Sequence, residues 1–419
     1  MNRVNGAIYE LPKMKAGKDL VSAMEEMPFY NESIRNESAA VRLMELSELY
    51  NIYIPNQMSF EIYSKMYLAT QRALNKKGTK LAIQQMNDNA RVIAQQQDHN
   101  GIIGGSDSFT IIGTSGIGKS SAISRAISLI TADKLIEIEE PYARIIPCMI
   151  VQCPFDSSVR GFLLEILRVV DSYLETSYYM KALKGRYTID MLIGSVSQVC
   201  LQHICLLVVD EIQHVCNNKS GNKLVGCLTQ LINASGISIC MVGTPESAVF
   251  FSSAMQLARR SLGLQYNTLS YNQYFKGFCN RIFSYQYVIN QADINDGIIE
   301  WLYEHSSGVI SVVISLIHDA QEIAILNGKE ELNYGSLNEA YQKRLSMLHD
   351  FIEPAVIHNQ STTKKKKMKQ SVKSQQSAII EYDKDDSSNI IYLADKAKKE
   401  NLNIVDLLKE KVSVVEVEI

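Results

Sequence analysis

The sequence predicts an α/β protein built around a central parallel sheet, and three observations predict it. Between residues 105 and 245, short β-rich runs alternate with helical patterns, the order that a parallel sheet requires. A glycine-rich loop separates the first of those runs from a helix. Helical periodicity then flanks the alternating region on both sides. Composition agrees: 419 residues, 46% hydrophobic and 21% charged, are ordinary for a globular chain. A wholly disordered chain, a collagen-like fibre and a coiled-coil rod are excluded.

The elements follow in chain order. Residues 1–80 are polar and helical, with apolar positions at helical spacing from Ala39 to Tyr50 and again from Phe60 to Leu74, and Pro55 between the two. Tyr63 and Tyr67 lie four apart on one face of the second helix. That face fits either a partner or the rest of its own chain. Strands are expected at Phe109–Ile112, Ile145–Gln152, Cys205–Val209 and Ile237–Val242. Residues 275–350 turn helical again, punctuated by Gly308 and Gly328. A lysine-rich linker, Ser361–Lys369, opens a tail that carries 12 Lys against 10 Asp and Glu from Ser361 onward. Such a tail builds no core of its own, and Asn389–Ala394 within it suits ordering on a partner or remaining free.

Charge and cysteine usage narrow the class. Forty-two basic against 45 acidic side chains give a formal net charge of -3, which rules out coating nucleic acid by bulk charge. A local basic surface is still allowed, since attraction acts over roughly 8–10 Å. The eight cysteines contain no Cys-x-x-Cys pair and read as buried hydrophobes in a reducing compartment, not as metal ligands. No apolar run has the length of a membrane span, and the N-terminus lacks a signal-peptide apolar region. A cytoplasmic protein without membrane contact is expected.

The chemistry concentrates at Gly113-Thr114-Ser115-Gly116-Ile117-Gly118-Lys119-Ser120, with Ser121 following, which matches G-x-x-x-x-G-K-[ST]. Glycines let successive amides turn inward, and the helix N-terminus adds positive potential for phosphates. Lys119 is placed to reach the outer phosphates and Ser120 to hold Mg²⁺. Downstream, Leu206–Glu211 reads as a buried strand ending in two carboxylates. Asp210 fits the metal side of the site, and Glu211 fits polarisation of an attacking water. Alone, such a strand end is common; paired with a phosphate loop it gains weight. Ile239–Pro245 adds another strand, ending at Thr244, which suits either a γ-phosphate contact or a plain turn. Arg259 and Arg260 follow, with Arg260 the better placed to enter a neighbouring copy's site; a solvated helix end also carries such pairs.

Across residues 25–355 the chain resembles the AAA+ ATPases, and more narrowly the TnsC-type target-selection ATPases of cut-and-paste transposons, with TniB and phage Mu B as wider relatives. The resemblance rests on Cys153–Gly161, Val170–Tyr178, Val209–Val215, Val242–Glu246, Ala258–Gly263 and Ser307–Ala324 in addition to the phosphate loop. It implies an ATP-dependent, DNA-binding regulator of transposition using ATP and Mg²⁺, assembling as rings or helical filaments on double-stranded DNA. It also implies recruitment of transposase and endonuclease subunits, engagement of a target-selector protein, and hydrolysis for disassembly and target choice. By the same resemblance, residues 1–80 form an N-terminal helical extension contacting a targeting partner, 81–275 the ATPase core, 276–355 a helical lid, and 356–419 the linker and tail. Arg160, Lys181, Lys184 and Arg186 sit where the family presents pore-lining basic residues, though each also suits a solvated surface.

Two departures from the family stand out. The lid stretch Gly308-Val-Ile-Ser-Val lacks the arginine that many AAA+ proteins place there, and Thr244 replaces an asparagine. The competing classes are an initiator- or loader-type ATPase acting in replication, and a scaffold whose nucleotide site is structural.

Overall fold

The computed structural model describes residues 11–77, 108–138, 143–215, 221–235, 237–248 and 263–346. Arg259, Arg260 and the whole linker and tail lie outside them. The described strands are β1 (Phe109–Gly113), β2 (Ile136–Ile138), β3 (Ala143–Gln152), β4 (Ile204–Asp210), β5 (Ser238–Gly243) and β6 (Leu264–Tyr266). They form one sheet in the order β2-β3-β4-β5-β1-β6. All neighbours are parallel except the edge strand β2, which runs antiparallel to β3. β1, β4 and β5 are buried along their whole lengths, which is why they read as continuous apolar runs.

The register sets the site. Ile112 lies beside Gly243, Val209 beside Met241, and Gln152 beside Asp210, so four strands end at one level. Strand β1 sits between β5 and β6, while the chain leaves it for the far edge of the sheet. That reversal opens a crevice at the strand C-termini, where open α/β sheets place ligands.

Both faces are covered. Helices α5 (Val159–Leu174), α7 (Ile189–His203) and α8 (Gly221–Ser235) bury one face, with Phe162, Ile166 and Val196 fully enclosed. Helices α3 (Gln57–Lys77) and α4 (Lys119–Thr131) cover the other, through Ile62, Met66, Ile123 and Ala126. Each of the Ile, Met, Phe and Val side chains among these contributes roughly 1.5–3 kcal/mol on burial. Tyr63 and Tyr67 belong to this layer, 1% and 6% exposed. Tyr67 donates to the Pro12 carbonyl at 2.8 Å, and Tyr63 accepts from the Lys15 amide at 3.0 Å. The tyrosine face is therefore packed on its own chain and is not a partner surface.

A third core joins the lid helices α9 (Gln273–Phe283), α10 (Asp296–Ser306), α11 (Ile310–Leu326) and α12 (Tyr334–Arg344) to the segment before α3. Asparagine caps start three of them: Asn272, Asn295 and Asn333 each accept an amide hydrogen bond from the first turn. Helix α2 (Ala39–Glu45) and the 3-10 turn Leu46–Asn51 pack into this core through Leu46 and Leu49. Arg42, 2% exposed, ties them down with a two-pronged pair to Glu330 at 2.7 and 2.8 Å. The N-terminal extension thus splits: residues 39–52 belong to the lid and α3 to the sheet.

The thiols of the described cysteines are all buried. Desolvation pushes Cys200 and Cys279 up to about 12 and Cys205 to about 11, so they stay protonated and inert. No single described helix is long and apolar enough to cross a membrane.

Candidate functional site

The glycine-rich loop runs from the end of β1 into α4. Gly116 has φ +80° and Gly118 has φ +92°, so the chain curls through the left-handed region before the helix starts. Ser115 to Ser121 line a cavity of about 370 Å³. Gly113 and Thr114 lie behind, where their carbonyls accept from Lys119 Nζ at 2.6 and 2.9 Å. Desolvation holds the Lys119 ammonium below the usual lysine range, against the opposing pull of Asp210, Glu211 and Glu246. Ile117 is buried under the loop, so only its backbone faces outward.

Asp210 and Glu211 end β4 on the far side of β5. Ser120 Oγ donates to Asp210 Oδ2 at 3.1 Å, and Asp210 Oδ1 accepts from the Glu211 amide at 2.8 Å. Asp210 is only 7% exposed. Glu211 lines the cavity and adopts φ +58°, a left-handed conformation that ordinary side chains avoid and that clusters at functional sites. Its carboxylate accepts from Gln213 Nε2. Between the two strand ends, Thr244 closes β5 and lines the same cavity. A hydrogen bond from Thr244 holds the Glu246 carboxyl below its ordinary value. The sheet therefore brings Lys119, Ser120, Asp210, Glu211 and Thr244 together.

The opposite wall comes from the lid and the N-terminal segment. Ser311, in the first turn of α11, donates its amide to the Gly116 carbonyl at 3.0 Å. A Cβ on Gly116 would overlap Ser311 Oγ and stand 2.9 Å from Val309 Cγ1. Backbone and a serine thus meet the loop from the stretch that lacks the arginine of many AAA+ proteins. Tyr50, Ile52, Ile54, Phe278 and Ile314 complete an apolar side of the cavity, of the kind that suits a planar ring.

The basic residues lie elsewhere. Arg160 opens α5 and donates to the Tyr187 carbonyl at 2.5 Å, which brings it beside the loop of Arg186. Lys184 ends α6 (Tyr178–Lys184), and both Lys184 and Arg186 are exposed. They form one basic corner, outside the cavity. Arg260 falls outside the described residues.

Sequence reasoning missed Gln213, Glu246, Ser311 and the Tyr50–Ile54 wall. Gln213 and Glu246 each stand three residues past a strand end, at Asp210 and Gly243, where nothing in spacing marks a role. The lid and N-terminal residues reach the cavity only through tertiary packing.

Three comparisons bear on these observations. Residues 91–267 match the model of the bacterial TniB protein family. The TniB/TnsC-type resemblance is thereby borne out over that segment. No curated protein matches the chain. Among solved structures, it is similar to the Aeropyrum pernix ORC1 protein in complex with DNA, at 14% identity and TM-score 0.43, covering 64% of this chain and 65% of that one. It thus spans just under two thirds of that protein's length. Drosophila ORC bound to DNA matches at 12% identity and TM-score 0.40, over 96% and 83% of the two chains. Domain III of the Thermotoga maritima replication initiation protein DnaA matches at 15% and 0.35, over 64% and 91%. The α/β class, with a central mostly parallel sheet, a glycine-rich loop after its first strand and helical segments before and after it, is borne out by the strand order and loop geometry.

Proposed function

We propose that this chain, TniB-like over residues 91–267, is an ATP-dependent, DNA-binding regulator of transposition. It binds ATP with the Ser115–Ser121 loop, assembles on duplex target DNA as rings or filaments, and recruits the transposase. Hydrolysis then serves disassembly and target choice. The observation that carries the nucleotide reading is the convergence of Lys119, Ser120, Asp210, Glu211 and Thr244 on one cavity at adjacent strand ends. The transposition reading rests on the family match.

In this reading Lys119 leaves the Gly113 and Thr114 carbonyls for the β- and γ-phosphates, a short swing of a flexible stem. The Ser120 hydroxyl and Asp210 carboxylate are hard oxygen donors, the set that suits Mg²⁺. When bound, the ion neutralises charge on the phosphate oxygens. Glu211 accepts the proton of the attacking water, Thr244 orients that water, and Arg260 enters the site of the adjacent copy. Arg160, Lys184 and Arg186 contact DNA phosphates without reading bases. The N-terminal residues engage the target selector, and the tail after residue 355 engages transposase or endonuclease subunits.

Electron microscopy of the protein with duplex DNA, with and without a non-hydrolysable ATP analogue, tests the assembly. Rings or filaments that need both ligands are expected. Dispersed monomers under every condition would refute it.

A further inference from the structure

We propose that Gln213 is a positioning residue for ATP hydrolysis: its side-chain amide holds one oxygen of the Glu211 carboxylate and leaves the other to the attacking water. The inference rests on the ATPase reading above and deepens it. In that step the water oxygen bonds to the γ-phosphorus as the bridging P–O bond breaks. The electron pair leaves with ADP, and the water proton passes to Glu211.

The geometry starts from a constraint on Glu211. Its peptide sits at φ +58°, with the amide taken by Asp210 Oδ1 at 2.8 Å. The backbone direction is thus set, while the side chain still has rotatable bonds. Among the described hydrogen bonds, the carboxylate's partner is Gln213 Nε2, donating to Oε2. A carboxylate only accepts, so the amide must present its NH₂ end to Glu211. Gln213 Oε1 then points away, buried and without a hydrogen-bond partner among the described residues.

The element that carries Gln213 is pinned on all sides. It is the 3-10 turn Ile212–Val215, and Ile212 within it is fully buried. The His214 amide donates back to the Glu211 carbonyl at 3.1 Å. Ser157 Oγ donates to the His214 carbonyl at 3.0 Å, and His214 Nδ1 donates to the Cys153 carbonyl at 3.1 Å. On the other flank the turn presses against Gly243, where a Cβ would stand 2.7 Å from Ile212 Cγ2 and 3.2 Å from Gln213 Oε1. Glycine at the end of β5 is what admits it. Gln213 therefore lies between the strand ends that carry Glu211 and Thr244, on a turn fastened to both neighbours. Such a group restricts a carboxylate without touching the nucleotide, and small misplacements of a reacting group are costly in rate.

Steady-state ATP hydrolysis by the full chain with duplex DNA tests this, alongside fluorescent ATP-analogue binding and thermal melting. Gln213→Ala is expected to lower kcat about ten-fold or more while KM and analogue affinity stay within about two-fold. Gln213→Met, which keeps the bulk and loses the donor, should fall by the same factor. In a Glu211→Gln background neither change should cost anything further, because both act through one carboxylate. Wild-type kcat in Gln213→Met, a raised kcat, or a loss that multiplies that of Glu211→Gln would overturn the proposal. Should Gln213→Ala fail to fold, Gln213→Met decides. A wild-type chain without turnover would sink the ATPase reading itself, whereas turnover slowed by Glu211→Gln but indifferent to Gln213 sinks only this inference.

Discussion

The two walls of the cavity are built by different means. On the sheet side, short polar residues project from the ends of buried strands and from a glycine-rich curl: Ser120, Asp210, Glu211 and Thr244. Their positions follow from strand register, so a change at one of them alters chemistry more than fold. On the lid side, Ile52, Ile54, Phe278 and Ile314 supply apolar surface, and among the described hydrogen bonds the polar link to the loop is the backbone bond from Ser311 to Gly116. That wall exists only because distant segments pack together, with Arg42 and Glu330 as the fastening. Chemistry sits on the rigid half and enclosure on the assembled half.

If that division holds, the largest effect on stability should come from the lid's fastening. Arg42→Ala leaves Glu330 without its partner, and breaking a buried pair costs roughly 3–5 kcal/mol. A large drop in melting temperature is expected, and an unchanged melting curve would break the comparison. The pair also carries a pH dependence. Hydrogen bonds from Arg42 hold the Glu330 carboxyl below its ordinary 4.5. A depressed acid contributes stability that is full above the unfolded value and is lost as pH falls through the folded one. Wild-type stability should therefore decline as pH drops below about 4.5, and Arg42→Ala should flatten part of that decline.

An intermediate effect belongs where the walls meet. Gly116→Ala forces a side chain into a left-handed φ and against Ser311 and Val309. Nucleotide affinity is expected to weaken about ten-fold, near 1.4 kcal/mol, with a modest loss of stability. Titration with a fluorescent ATP analogue measures it, and equal affinity would mean that the loop and lid meet differently once nucleotide is bound. The smallest effect is expected at Tyr50, which lines the cavity, is half exposed and rests against His318 with centroids 4.7 Å apart. Tyr50→Ala should weaken binding by a few-fold, about 0.5–1 kcal/mol, without changing kcat.

The two walls also differ in how legible they are. The sheet side reads directly from sequence because each residue follows a recognisable local pattern: an apolar run, then a polar terminus or a glycine-rich turn. β1, β3, β4 and β5 were all expected, and the structure shifts their ends by a residue or two. Strands β2 and β6 were not expected, since Ile-Glu-Ile and Leu-Gln-Tyr are too short to show a period. The lid wall has no local signature. Nothing around Tyr50 or Ile54 distinguishes a cavity lining from a helix end, and Arg42 reads as one more surface arginine until Glu330, 288 positions away, is seen beside it. Gln213 is intermediate: its turn is marked by the strand end before it, but its orientation depends on Gly243 and Ser157 from other elements.

Calorimetric titration of the purified chain with ATP and Mg²⁺, run in parallel with Lys119→Ala, tests the nucleotide site most directly. Saturable one-to-one binding by the native chain, lost or weakened at least a hundred-fold in the variant, is the result expected. Equal affinity in the two proteins, or no heat from either, would contradict it.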